Sequence, residues 1–165
     1  MNRDNSRRIS AFALPAALVC AFSSSSQAGE WSANASMTSN DIWRGLTQTE
    51  NEAAVQGGID YAGDSGFYVG TWASNVNYGA GDVYSYEHDI YAGFAFDTGD
   101  ISWDVGYLYY NYDKEAEFDF SEVYIGVGIG NFSAQYNLLA DTEADEAPGQ
   151  DFGFGEAYYL SLIHI

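Results

Sequence analysis

Gly66-Phe-Tyr-Val-Gly-Thr-Trp-Ala-Ser-Asn-Val76 alternates large and small side chains between two glycine-bearing turns. Its β-branched and aromatic residues suit a pleated ladder, so it reads as a β-strand. Its aromatics fall on both faces. The segment alone therefore does not say whether it is walled in by protein or carries lipid on one side and water on the other. The surrounding chain has to decide.

Period-2 alternation recurs throughout the chain after its first 28 residues, and no helical period persists. Strands are expected near Trp31 to Thr38 (or on to Trp43), Val55 to Ala62, Phe67 to Val76, Val83 to Phe96, Ile101 to Tyr112, Phe120 to Ile129, Phe132 to Ala140 and Phe152 to Leu160. Gly63 to Gly66, Asp97 to Asp100 and Gly130-Asn131 have the chemistry of tight hairpin turns. The alternating connections, Leu46 to Ala54, Asn77 to Asp82, Asp113 to Asp119 and Asp141 to Asp151, are longer and more polar. Short and long connections thus fall at opposite ends of an antiparallel meander.

The two faces of these strands differ in kind. One carries Val55, Ile59, Phe67, Val69, Tyr84, Tyr86, Ile90, Phe94, Ile101, Trp103, Val105, Tyr107, Val123, Ile125, Ile129 and Phe132, with no charged residue among its positions. The opposite face carries Gln56, Tyr68, Gly70, Trp72 and Gln135 together with five acids, Asp60, Glu87, Asp89, Asp104 and Glu122.

The first 28 residues have the order of a secretory signal. Arg3, Arg7 and Arg8 precede an apolar run from Ile9 to Phe22, and small polar residues lead to a cleavage site after Ala28. The run is about 14 residues, short of the ~20 that a spanning helix needs. Cys20 follows Ala17-Leu18-Val19, which does not suit a lipid-attachment site. Without the signal the chain keeps two basic residues, Arg44 and Lys114, against 23 acids, a formal charge of −21, and no cysteine. Such acidity argues against nucleic acid as a partner and favours cations or divalent-bridged surfaces. The remaining 137 residues read as one domain, with no linker to divide them.

A soluble β-sandwich also alternates apolar and polar residues. Three features favour an up-and-down transmembrane β-barrel of the Gram-negative outer membrane. They are the export signal, the asymmetry of short turns and long loops, and tyrosines near strand ends (Tyr84, Tyr86, Tyr107, Tyr109, Tyr110, Tyr112) that suit a membrane interface. A closed barrel also satisfies its backbone in lipid, which an open sheet does not.

Particular segments strengthen this reading. Ser39-Asn-Asp-Ile-Trp-Arg-Gly-Leu-Thr-Gln-Thr49, Gln56-Gly-Gly-Ile-Asp-Tyr61, Ser65 to Val76, Asp89-Ile-Tyr-Ala-Gly93, Asp104 to Tyr112 and Glu122-Val-Tyr-Ile-Gly126 together resemble the TorF-type porin family of Proteobacteria. The resemblance spans nearly the whole chain after the signal. It implies an outer-membrane porin whose substrate is not assigned. Asp113 stands where that family usually has Pro. Residues 161–165 resemble a translated adapter, so the domain is expected over 29–160 with about eight strands, C-terminally truncated, followed by a non-native tail.

The five acids are expected to line a lumen and favour cations, since clustered carboxylates raise the local cation concentration and repel anions. The alternative is that they are simply a wet face. Arg44, before Gly45, is expected to pair with one of them and brace the interior. Other strings mimic catalytic or binding motifs without completing them. Gly63-Asp-Ser-Gly66 mimics a serine-protease motif without a positioned base, and His88 on its strand shows no partner serine for a membrane lipase. Asp141-Thr-Glu-Ala-Asp145 lacks the glycine and the terminal Glu of an EF-hand, so it reads as a solvated loop, with loose divalent binding that bridges to lipopolysaccharide phosphates as the alternative. Gly126 to Gly130 continues into a hairpin and not into a helix, so it binds no dinucleotide.

The expected protein is a porin for passive diffusion of small solutes, with no catalysis and no cofactor. Its neighbours are outer-membrane lipid and lipopolysaccharide. The alternatives are a non-conducting structural or cell-surface interaction barrel and a soluble exported sandwich that binds a ligand.

Overall fold

A computed structural model describes residues 29–143 and the backbone of 157–163. The expected signal segment and most of the last loop lie outside these residues. Ten strands follow in chain order: β1 (Glu30–Thr38), β2 (Ile42–Trp43), β3 (Leu46–Thr47), β4 (Ala54–Ala62), β5 (Phe67–Asn75), β6 (Tyr86–Thr98), β7 (Ile101–Tyr112), β8 (Phe120–Ile129), β9 (Phe132–Thr142) and β10 (Ala157–Ile163). Eight of them form one antiparallel sheet in the order β1-β4-β5-β6-β7-β8-β9-β10, while β2 and β3 form a separate small hairpin. The chain is thus all-β, each strand of the large sheet pairing with the next in sequence. Among the described residues no ladder joins β1 to β10.

The short turns fall where glycine and polar residues placed them. Gly99-Asp100 and Gly130-Asn131 connect β6 to β7 and β8 to β9. At the opposite end, residues 39–53, 76–85 and 113–119 make the longer crossings.

Two strands depart clearly from the sequence reading. The strand expected from Val83 begins at Tyr86, because side chains satisfy the backbone before it. The Asp82 carboxylate accepts from the Tyr84 N–H, and that of Asp113 accepts from the N–H groups of Ser85 and Tyr86. The last strand runs over Ala157–Ile163 in place of 152–160, so Ser161, Leu162 and Ile163 of the expected tail pair with Ala134, Ser133 and Phe132. The first strand stops at Thr38, the nearer of its two expected ends, since Asn40 turns its side chain to Thr47 and Asn51.

The sheet coils about one face. Tyr68 of β5 and Tyr124 of β8 meet hydroxyl to hydroxyl across three inter-strand steps. Flat strands would put their backbones ~14 Å apart, so both rings must lean toward a shared centre. Glycines make room for the rings. A Cβ at Gly70 would lie 2.6 Å from both the Tyr91 ring and the Asp60 carboxylate, and the Tyr68 and Tyr124 rings lie against Gly93 and Gly106 in the same way.

The distribution of polarity is inverted. Ile59, Phe67, Ile90, Phe94, Val105, Val123, Ile125, Ile129 and Phe132 are exposed, whereas Gln56, Asp60, Glu87, Asp89, Glu122 and Asn137 are buried. The apolar cluster on the covered side is mainly tyrosine, with Tyr91, Tyr110, Tyr112 and Tyr124 beside Leu108 and Val76.

Candidate functional site

The covered face is built in levels, each made by register-paired residues of neighbouring strands. Gln56, Ser74, Glu87 and Tyr112 share one level, and Trp72, Asp89, Tyr110 and Phe120 the next. Asp60, Gly70, Tyr91, Leu108 and Glu122 form the third, and Asp104 stands two levels further, beside Ala95 and Gly126. The alternation that sends aliphatic residues outward sends all five acids inward.

Four of the five acids have a partner of their own. The Tyr112 hydroxyl donates to Glu87 at 2.5 Å, that of Tyr68 to Asp104 at 2.6 Å, and that of Tyr91 to Asp60. Glu122 takes the Arg44 guanidinium bidentately, at 2.7 and 2.5 Å. Asp89 differs, because its Oδ1 is buried with no hydrogen-bond partner among the described residues.

Arg44 arrives on the β2–β3 hairpin. Arg44 and Gly45 have φ of +50° and +85°, which makes the two-residue turn between paired Trp43 and Leu46 type I′ in sign. Glycine adopts this backbone without penalty, while arginine does so at about 1 kcal/mol. The guanidinium also lies 4.1 Å from the Trp43 ring centre, and Trp43 packs edge-on against Tyr110 and Phe120. The connection leaving β1 therefore reaches β8 by crossing the covered face. Its root is held by Thr49, which is fully buried and donates to the Glu52 carbonyl, and by Tyr78, whose hydroxyl donates to Gln48.

Outside the strands, burial pushes the Asp41 carboxyl above its usual range and does the same to the hydroxyls of Tyr78 and Tyr84. Asp113 moves the other way. Slight burial opposes the shift, but hydrogen bonds from Ser85 and Tyr86 outweigh it and lower its carboxyl.

Of the tyrosines that face the acids, sequence reasoning placed Tyr68 on their side and missed the others. Tyr110 and Tyr112, expected at the membrane interface, are buried on the covered face, Tyr110 to 2 % exposure. Tyr84, expected on the apolar face, packs edge-on against Tyr112. The signal was parity, since Tyr91 shares the phase of Glu87 and Asp89, Tyr110 and Tyr112 that of Asp104, and Tyr124 that of Glu122. His88 has a hydroxyl partner after all, 2.6 Å away on Thr71. That hydroxyl donates its one proton to the Asp89 carbonyl at 2.9 Å and so accepts from His88, which leaves no base to activate it.

With this geometry in hand, one comparison identifies the chain. It belongs to the bacterial family of unknown function described as Gcw_chp, whose model matches residues 23–161. No curated protein and no solved structure matches it. No helix among the described residues is long and apolar enough to cross a membrane, which says nothing of strands. In this Gcw_chp chain the described residues hold no group of three or more acids, histidines or cysteines placed to ligate a metal ion.

Proposed function

We propose that this Gcw_chp protein is a β-barrel of the Gram-negative outer membrane, of porin type, whose acidic inner face admits small solutes and favours cations. One observation carries the reading, namely that aliphatic and aromatic side chains are exposed while carboxylates and amides are buried. In water, each large side chain left exposed forgoes ~1.5–3 kcal/mol of burial. In lipid the same face is at home, and strands that alternate apolar-out and polar-in are the pattern of outer-membrane barrels. The resemblance to TorF-type porins and the export signal support the same conclusion. In this reading Asp60, Glu87, Asp89, Asp104 and Glu122 line the interior, with Arg44 bracing it through Glu122.

A second reading, a barrel that does not conduct, is favoured by the tyrosine rings that cover this face. Eight strands leave an interior that side chains can fill. Planar-bilayer recording separates the two: steps in current with a cation-favouring reversal potential are expected, silence favours the structural role, and anion preference defeats the acidic lining.

The membrane itself is tested at Ile125, which is 44 % exposed on β8. Arginine at a lipid-facing midplane position costs about 2–4 kcal/mol, whereas at a solvated surface it changes stability by roughly 0.5 kcal/mol or less. Ile125→Arg is therefore expected to impair folding into vesicles strongly. A protein that stays soluble without detergent and tolerates this change would end the membrane reading.

A further inference from the structure

We propose that the level of the covered face around Asp89 is a binding site for a monovalent organic cation, an ammonium or guanidinium group, with the Asp89 Oδ1 as its acceptor. The inference rests on the acidic face being reached by solutes, as proposed above, and deepens it by naming their class.

The argument starts from Asp89. Its residue is 8 % exposed and its Oδ1 has no hydrogen-bond partner among the described residues, while each of the other four acids of this face has one. A buried carboxylate oxygen without a donor carries the full cost of lost hydration. Its charged neighbours, Glu87, Asp41 and Glu122, are all acids and add repulsion. The one guanidinium at hand is fully engaged, with both its terminal nitrogens on Glu122. Among the described residues no basic side chain serves Asp89, which leaves its Oδ1 open to a cation from solution.

The surroundings narrow the class. No three carboxylates among the described residues converge closely enough to hold a metal ion, so a dehydrated divalent cation does not fit. Tyr110 and Trp72 flank Asp89 in register on either side, and an aromatic ring beside a carboxylate suits a cation that carries N–H donors and a diffuse charge. The chain shows the same chemistry next door, where Arg44 is held by Glu122 and lies over Trp43.

The test uses the protein in detergent micelles, titrated calorimetrically with methylguanidinium and with methylammonium chloride. Saturable binding of at least one probe is expected, and Asp89→Asn should weaken it tenfold or more. Asp97→Asn, which alters an exposed acid held by Ser102 near the far end of β6, should leave binding within twofold. If Asp89→Asn does not fold, Asp89→Ser must show the same loss. Absence of saturable binding, full affinity in the Asp89 variant, equal loss in both variants, or displacement of the probe by equimolar magnesium would each overturn the proposal. Binding in micelles with no conductance in bilayers would retire the porin reading while leaving the site intact. Conductance without binding would do the reverse.

Discussion

Removing one partner of the Arg44–Glu122 pair should destabilise the protein far more than removing both. The side chains are 11 % and 7 % exposed, so neither charge is substantially hydrated, and the bidentate contact at 2.5 and 2.7 Å supplies most of what replaces water. In Arg44→Met the Glu122 carboxylate keeps only the Tyr110 hydroxyl, 3.4 Å away. Stranding a buried charge costs about 3–5 kcal/mol, whereas exchanging a whole buried pair for apolar groups is often neutral. Glu122→Leu takes from the guanidinium its bidentate acceptor and should cost a similar amount. Of the described contacts, the double variant loses the one between the guanidinium and Trp43, about 1 kcal/mol. Methionine at position 44 meets the same left-handed backbone as arginine, so that penalty drops out of the difference. With both single losses at the lower end of that range, the coupling is about 5 kcal/mol. Urea unfolding in lipid vesicles, followed by tryptophan fluorescence, measures it. Single variants within about 0.5 kcal/mol of the parent, as a solvated surface pair gives, would refute the reasoning.

Two further consequences follow from the packing and the charges. Gly70→Ala places a methyl group 2.6 Å from the Tyr91 ring and the Asp60 carboxylate and should destabilise by about 1–3 kcal/mol, measured by thermal melting; a neutral effect would mean that the rings do not lie against the glycines. The raised Asp41 carboxyl means that the folded state holds its proton to higher pH than the unfolded state, whose value is near 3.8. Stability should therefore fall as pH rises from that value through the raised one, and Asp41→Asn should remove this part of the slope. An unchanged profile in the variant would locate the titration elsewhere.

The wall of the fold was legible because strand alternation is a local property. Val105, Val123 and Ile125 declare one face and Asp104 and Glu122 the other without any tertiary information. The β2–β3 hairpin was not legible as an element, since two-residue strands carry no period. Arg44, followed by Gly45, was nonetheless visible as the basic residue of the strand region, and an acid partner for it was expected. Tyr110 and Tyr112 were misplaced because amphipathic tyrosine suits a membrane interface as well as a polar interior, and composition was allowed to outweigh phase. The absence of a strand over Val83 and Tyr84 depends on Asp82 and Asp113 capturing backbone N–H groups, one of them 28 residues away. No local pattern encodes that.

The choice of tyrosine as the partner of these acids bears directly on what the face can do. A lysine or arginine at each position would satisfy a carboxylate and cancel its charge, as Arg44 does for Glu122. A tyrosine hydroxyl satisfies the same lone pair and leaves the ionised group's charge standing. Tyr68, Tyr91 and Tyr112 do this for Asp104, Asp60 and Glu87, which lie on different levels of the covered face. Successive levels are two residues apart along the strands, about 7 Å. A face built only for stability would gain from basic partners or from apolar replacements. Hydrogen-bonded carboxylates stepped along the strand axis with little basic compensation are instead what transient occupancy by cations requires, since each step attracts a cation without the coordination that would trap it.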